Sequence, residues 1–446
     1  MLSQQDNALI SQVGKGTPMG IWLRRFWTPL LLADELEADG APKEVRMFGE
    51  DLLAFRDTQG KVGVIQALCP HRQAPLVYAR NEDSGLRCIY HGWKFDVGGH
   101  CLDMPNEPAE SVFKDKVRAR SYPTGEAAGI IWVYMGPRPA EAQLPDMEWM
   151  RVPASHRNTA RFTMDGNWVQ ALEGDVDSSH IGFLHSNLRG RVSNGAGGPP
   201  PPDWSEPENR WPSRPGFYGP LDGYYGSLDQ SPRWVIQPAN HGLMIAAHRN
   251  GGPDHYYWRI NQVMLPYYTL VAGSLDQNSF FMHMWVPTDD THTAVWTVNW
   301  RVYRPMTADE RESMFSGSNA HVASYDPATH TLRGNHTNRF FQDRELQKTT
   351  TFSGILGIRE QDAAMTVGMG SVVDRTEEHL GTADAAVIAV RRVLLRAAKA
   401  LQNGEEPQTP YHGDWYRDRA WAGVLPRNED FLNDPEARKM AVSTVP

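Results

Sequence analysis

Two mixed pairs of metal-ligating residues constrain this chain more than any other feature: Cys69-Pro70-His71 and, after a gap of sixteen residues, Cys88-Ile89-Tyr90-His91. Each half offers one thiolate and one imidazole. Soft thiolates suit ferric iron, while two neutral imidazoles on a second iron leave a two-iron centre with less negative charge than an all-cysteine one. That difference raises its potential to about −150 to +300 mV, a range suited to passing single electrons. Zinc is the alternative, since two Cys and two His also satisfy a tetrahedral ion. Zinc fingers, however, usually pair Cys with Cys and His with His, and here both halves are mixed. Only three cysteines occur, which excludes a disulfide framework and leaves Cys101 as a small core residue.

Around these pairs, residues 26–137 alternate short β segments with turns. Val45 to Phe48, Leu52 to Phe55, Val62 to Ile65, and Ile130 to Tyr134 before Gly136-Pro137 predict a small all-β, antiparallel domain. Residues 1–25 read as a lead-in with a helical turn or two, packing on a larger domain that spans 145–446 beyond a linker near 138–144. The larger domain opens with a helical stretch near 166–185 and passes through the loop tract Gly195 to Pro202. WVIQP, GLMIAAH, YYWRINQVMLPYYTLV, FFMHMWV and TAVWTVNW then predict a meandering antiparallel sheet. Val387, Val390, Leu394, Ala397 and Leu401 share one face of a helix over 384–402 that stops near Gly404. The expected class is α+β.

The 44 basic and 53 acidic residues give a formal charge of −9 without a basic run, so nucleic acid is not an expected partner. No apolar run approaches the roughly 18 residues of a membrane span, and the N-terminus lacks the charged and apolar regions of a signal peptide. Arg24-Arg25 precedes FWTPLLLA, but that run is short and broken by Pro29. A cytoplasmic chain with no membrane partner is expected. Its 15 Trp are compatible with a pocket for a flat apolar ligand.

The small domain leaves most of the chain unexplained. NWVQALEGDVDSSHIGFLH holds Asp177-x2-His180-x4-His185. Two imidazoles and a later carboxylate make the facial triad of non-haem iron(II) oxygenases, which keeps positions open for dioxygen. Five residues turn about 140° around an ideal helix, so the two rings diverge unless the helix distorts, which Gly182 permits. Asp177, three residues before His180, lies nearly above it on a helix and could orient its imidazole. Spacing leaves the carboxylate ligand open among Asp343, Asp362, Asp374 and Asp384.

With both sites in order, the chain resembles the oxygenase component (alpha subunit) of Rieske non-haem iron aromatic-ring-hydroxylating dioxygenases, and within them the phthalate dioxygenase group. The resemblance covers nearly the whole length. It runs through GTPMGIWLRRFWTPLL, CPHRQAPLVYARNEDSGLRCIYHGWKFD, EGDVDSSHIGFLH and TFSGILGIREQDAAMTVGMGSVVDRTEEHLGTADAAVIAVRR. It implies a Rieske [2Fe–2S] cluster on Cys69, His71, Cys88 and His91, and a mononuclear Fe(II) on His180, His185 and Asp362, the Asp of the QD element. Asp177 is implied to bridge to His91 of a neighbouring subunit, which requires a homotrimer or a pair of stacked trimers. The implied fold of the larger domain is of the helix-grip type, an antiparallel sheet wrapped round a long helix.

The resemblance further implies O2 as co-substrate, electrons from NADH through a flavin or iron–sulfur reductase, and cis-dihydroxylation of a small aromatic acid of the phthalate, isophthalate or substituted benzoate type. An arginine binds a carboxylate through two parallel hydrogen bonds. Arg249 aligns with a strand that lines the family's pocket, and Arg210, in the preceding loop, is a second candidate. The Pro- and Gly-rich segment 190–226 does not align. One rival keeps both metal sites and inserts a single oxygen, as in O-demethylation of an aryl ether. The other is an electron carrier, which predicts a membrane anchor or a much shorter chain.

Overall fold

The computed structural model describes residues 2–186, 188, 229–272, 279–313, 322–429, 431–435, 441–443 and 445. The chain divides into two compact units. One comprises Gln12–Pro145 with Glu406–His412, the other Met1–Ser11, Asp146–Glu405 and Gly413–Pro446.

The smaller unit is built of short antiparallel strands, as the alternation of apolar runs and turns predicts. Lys43–Met47, Glu50–Arg56, Val62–Gln66 and Ser121–Tyr122 form one sheet; Arg80–Glu82, Gly85–Arg87, Lys94–Phe95 and Cys101–Asp103 form another; Trp27–Leu32, Ile130–Tyr134 and Thr124–Ala127 form a third. Three hairpins close on two-residue turns with positive φ at both positions: Phe48-Gly49, Asp83-Ser84 and Ala128-Gly129. That geometry matches the right-handed twist of the flanking strands. The core gathers Leu53, Phe55, Ile65, Leu76, Leu86 and Phe95 around Cys69, Cys88 and Cys101.

The lead-in expected as one piece is divided. Thr17 caps the helix Pro18–Leu23 by accepting the Gly20 N–H at 3.1 Å, with Pro18 at the first helical position. Arg24 then reaches Glu50 at 3.0 Å, and Arg25 makes two 2.9 Å bonds to Glu406. These bonds tie residues from 12 onward to the smaller unit, while the helix Gln4–Ser11 belongs to the larger one.

In the larger unit the predicted sheet is present and longer than expected. Its eight strands run in the order Arg157–Asp165, His292–Arg301, Ser279–Pro287, Tyr268–Leu270, His255–Met264, Gly242–Asn250 and Arg233–Ala239, with Trp421–Pro426 also pairing His255–Met264. Arg157–Asp165 escaped the sequence reading because its inward residues, Ala160, Phe162 and Met164, alternate with polar ones rather than forming an apolar run. The helix Ala385–Gln402 buries Ala386, Val387, Val390, Leu394 and Ala398 and ends before Gly404 at φ +86°. It packs on the strands Arg233–Ala239 and Gly242–Asn250 and on the helix Trp168–Val176. The class is therefore α+β, a small all-β unit and a larger one with an antiparallel sheet over helices. Among the described residues, no helix is long and apolar enough to cross a membrane.

Candidate metal centres

In the smaller unit the two Cys/His segments form loops of the same design. The Cys69 N–H donates to the carbonyl of Ala74 and its carbonyl accepts from Gln73; the Cys88 N–H donates to Trp93 and its carbonyl accepts from Gly92. Each loop turns through a positive φ four residues after its cysteine, at Gln73 (58°) and Gly92 (77°). The cysteines are buried at 1% and 3% exposure and their thiols are in contact, and burial pushes the Cys69 thiol up to about 11. Thiolate there requires a bound cation. The histidine rings lie further out, half-buried, with centroids 4.5 Å apart, and His71 stacks on Trp93 at 4.3 Å. A sulfur pair inside and an imidazole pair outside fits a two-iron cluster whose histidine-bound iron faces outward. A zinc finger's paired halves do not produce that division.

In the larger unit Asn167 caps the helix Trp168–Val176, its side-chain oxygen accepting from the Val169 N–H at 3.1 Å. The continuous helix expected through 185 is not formed. Asp177 leaves helical geometry at φ −74°, ψ 113°, and its Oδ1 accepts the Ser179 N–H at 2.7 Å. Asp side chains that bond the backbone two residues on compete with the helix in this way. Asp177 therefore meets His180 from a turn, with Oδ2 3.4 Å from Nδ1, rather than from one helical turn above it. His180 and His185 flank the single turn Ile181–Leu184, which brings their rings together despite the five-residue spacing.

Three donor atoms converge there. His180 Nε2 lies 3.1 Å from His185 Nε2, and Asp362 Oδ1 lies 3.2 Å from His185 Nε2 and 3.6 Å from His180 Nε2. The other ring nitrogens fix which atoms these are. His185 Nδ1 sits 2.6 Å from Gln361 Oε1, whose amide Nε2 donates to the Ile355 carbonyl at 2.8 Å, so Nδ1 carries the proton and Nε2 the lone pair. His180 Nδ1 likewise faces the Asp177 carboxylate. Two lone pairs and a carboxylate oxygen pointing at one another repel unless a cation lies between them. Ligand atoms about 2.1 Å from a divalent ion and at right angles stand about 3.0 Å apart, so these edges fit one face of an octahedron.

Electrostatics follow the geometry. Burial pushes the Asp177 carboxyl up, but the bonds from His180 and Ser179 outweigh it and hold it at about 2. Burial likewise disfavours charged His180, and the carboxylates of Asp177 and Asp362 more than offset it, so the imidazole is raised. Asp362 is held below the usual carboxylate range, its burial outweighed by Arg359, His185 and His180.

The alternatives to Asp362 have local tasks instead. Asp343 caps Arg344–Thr349, Asp374 binds Thr376, and Asp384 accepts the Gly381 N–H. Arg249 is buried on Gly242–Asn250, its Nε donating to the Asp229 carbonyl at 3.0 Å and its guanidinium meeting the Ser178 carbonyl and hydroxyl. It thus stands beside the Asp177–His180 turn. Arg210 lies outside the described residues. Sequence reading missed Gln361, Arg359, Asp175 and His283. Gln361 had one signal, its place beside Asp362; the others had none.

A mixed Cys/His domain joined in one chain to a site of two histidines and one carboxylate defines an iron oxygenase of the Rieske type. The Rieske [2Fe-2S] domain model matches residues 26–123, and the LigXa C-terminal domain like model matches 224–441. The chain is 38% identical to the phthalate 4,5-dioxygenase oxygenase subunit of Pseudomonas putida, over 91% of this chain and 88% of that one. It is 34% identical to the 3-chlorobenzoate-3,4-dioxygenase oxygenase subunit of Comamonas testosteroni, over 98% and 99%. It is also 30% identical to the 5,5'-dehydrodivanillate O-demethylase oxygenase subunit of Sphingobium sp. (strain NBRC 103272 / SYK-6), over 92% and 83%. Pseudomonas putida CBB5 NdmA with caffeine shares the fold at a TM-score of 0.59 and 16% identity, over 89% and 96%. The chain belongs to the Rieske non-haem iron aromatic-ring-hydroxylating dioxygenases, as an oxygenase component of the phthalate dioxygenase group. It is an oxidoreductase that uses a [2Fe–2S] cluster, a mononuclear iron and dioxygen.

Proposed function

We propose that this chain is the terminal oxygenase of a multicomponent system that cis-dihydroxylates a carboxylated arene of the phthalate, isophthalate or substituted benzoate type. Cys69, His71, Cys88 and His91 hold the cluster, and His180, His185 and Asp362 hold the iron. The observation that carries the reading is the convergence of His180 Nε2, His185 Nε2 and Asp362 Oδ1 within 3.1 to 3.6 Å. When bound, the cluster supplies single electrons and the iron supplies open positions for dioxygen. Arene, O2, two electrons and two protons balance to a cis-dihydrodiol.

The chain's own residues position the reaction. Gln361 and Asp177 fix the two imidazoles with Nε2 toward the metal. Asp177 keeps 23% of its side chain exposed, which supports a bridge from His180 to the partner subunit's His91 in a homotrimer or stacked trimers. In this reading Arg249, whose guanidinium is bonded to Ser178 and to the Asp229 carbonyl, pairs with the substrate carboxylate. Electrons come from NADH through a flavin or iron–sulfur reductase in the cytoplasm.

A second reading, O-demethylation of an aromatic acid, is favoured by the similarity to the O-demethylase subunit. Turnover with a reductase and 18O2 across phthalate, isophthalate, benzoates and sulfobenzoates separates the two. Two labelled atoms in a dihydrodiol are expected, and conversion of a methoxybenzoate to an unlabelled phenol and formaldehyde selects the second reading. Iron analysis should find three irons per chain, falling to two with the cluster retained in His180→Ala. Loss of no iron would overturn the site assignment.

A further inference from the structure

We propose that Arg359 is a positioning residue that restricts Asp362 to binding iron through a single oxygen, and so keeps a coordination position open. The inference rests on the reading of Asp362 as a ligand.

The helix Ile358–Gly368 places Arg359 three residues before Asp362, so the two side chains share one face. The two oxygens of Asp362 face different partners. Oδ1 points to His185 Nε2 at 3.2 Å and His180 Nε2 at 3.6 Å, whereas Oδ2 lies 3.5 Å from Arg359 Nη1. A carboxylate that turned both oxygens to the metal would withdraw Oδ2 from a buried cation.

The guanidinium is not at liberty to follow. It is a planar, rigid fork, and its second arm is anchored: Nη2 lies 3.3 Å from Asp175 Oδ1 and 3.4 Å from His283 Nε2, with the group 5.3 Å over the Trp285 ring. Asp175 is itself fixed by His283 Nδ1 at 2.8 Å and by the Thr269 hydroxyl, which accepts from the Trp285 indole N–H at 2.9 Å. His283 Nδ1 faces a carboxylate and Nε2 faces a guanidinium N–H, so His283 is neutral with its proton on Nδ1. The charges of Asp175 and Arg359 offset each other. Every side chain in this anchor is buried and stands on a helix or strand: Asp175 on Trp168–Val176, Thr269 on Tyr268–Leu270, His283 and Trp285 on Ser279–Pro287.

A six-coordinate iron with two histidines and one carboxylate oxygen keeps three positions, against two when both oxygens bind. Arg359 therefore acts on the number of exogenous ligands the site accepts, not on whether it holds iron.

The test compares wild type with Arg359→Met, Arg359→Lys and Asp175→Asn as cluster-loaded, iron(II)-loaded proteins, using nitric oxide as the probe. Iron content, nitric oxide affinity by EPR, and coordination number by X-ray absorption are read. Arg359→Met should keep three irons per chain yet bind nitric oxide at least tenfold more weakly, with one more protein oxygen on the iron. Arg359→Lys should recover part of the loss, and Asp175→Asn, which frees the anchor and keeps the cation, should fall between. Full iron with unchanged nitric oxide affinity in Arg359→Met overturns the proposal. If that variant does not fold or take up iron, unchanged affinity in Asp175→Asn overturns it instead. Retention of the mononuclear iron in Asp362→Ala would break the ligand assignment beneath it, a separate failure.

Discussion

Replacing Gln361 by Leu should weaken iron binding by about 10- to 100-fold, the usual effect of removing the partner that orients a metal-bound imidazole. The magnitude corresponds to about 1.4 to 2.7 kcal/mol. In the wild type, Gln361 is only 5% exposed and joins His185 Nδ1 at 2.6 Å to the Ile355 carbonyl at 2.8 Å. Leucine fills the space but leaves one buried N–H and one buried carbonyl unpaired, at about 1 to 3 kcal/mol each in folding stability. The unfolding temperature should therefore also fall. Gln361→Glu separates orientation from packing. A carboxylate still accepts the His185 N–H but offers nothing to Ile355, so it should lose stability and keep iron affinity. The assay is titration of the apo mononuclear site, cluster intact, with chelator-buffered iron(II). A Leu variant within twofold of wild type, or a Glu variant as weak as Leu, refutes the reasoning.

Glu173 binds two buried arginines through both oxygens, Arg375 at 3.2 and 3.1 Å and Arg391 at 2.7 and 3.0 Å. Glu173→Gln should cost about 3 to 5 kcal/mol in calorimetric unfolding, because it takes the carboxylate from buried Arg375, and Glu378→Gln, which leaves Arg391 paired with Glu173, should cost less. Glu310 is held at about 2 by hydrogen bonds from Arg304, the Thr307 N–H and Arg301. Its pKa is depressed on folding, so its contribution is complete above the unfolded carboxylate range and disappears as pH falls through the folded value. Glu310→Gln should therefore flatten the pH dependence of unfolding between about pH 4.3 and 2. Gly92→Ala demands φ +77° of a side-chain-bearing residue and sets its Cβ 2.5 Å from Pro105 Cγ, so the purified variant should lose cluster absorbance. A full cluster complement in that variant would show that the second loop yields.

The sequence by itself determined what lies within a turn or a strand. Cys69 with His71, Cys88 with His91, and His180 with His185 each sit in one short segment, so spacing and residue chemistry nominated them, the last pair with the help of the cluster motif in the same chain. The sheet was legible because β-branched and aromatic runs announce buried strands. Arg157–Asp165, which has no such run, was not. The carboxylate of the proposed iron site belonged to a different order of information. Asp362 reaches the histidines because Ile358–Gly368 packs on Trp168–Val176, stapled by Gln170, whose amide donates to the Thr366 and Gly370 carbonyls at 2.8 Å and accepts from Val373. Resemblance pointed to Asp362, and the geometry supports that reading, since Asp343, Asp374 and Asp384 are engaged in caps and turns. The break at Asp177 and the Arg359–Asp175–His283 anchor likewise exist only in the packed chain. They depend on which buried charges meet across helix and sheet, and a linear pattern of residue types carries no record of that.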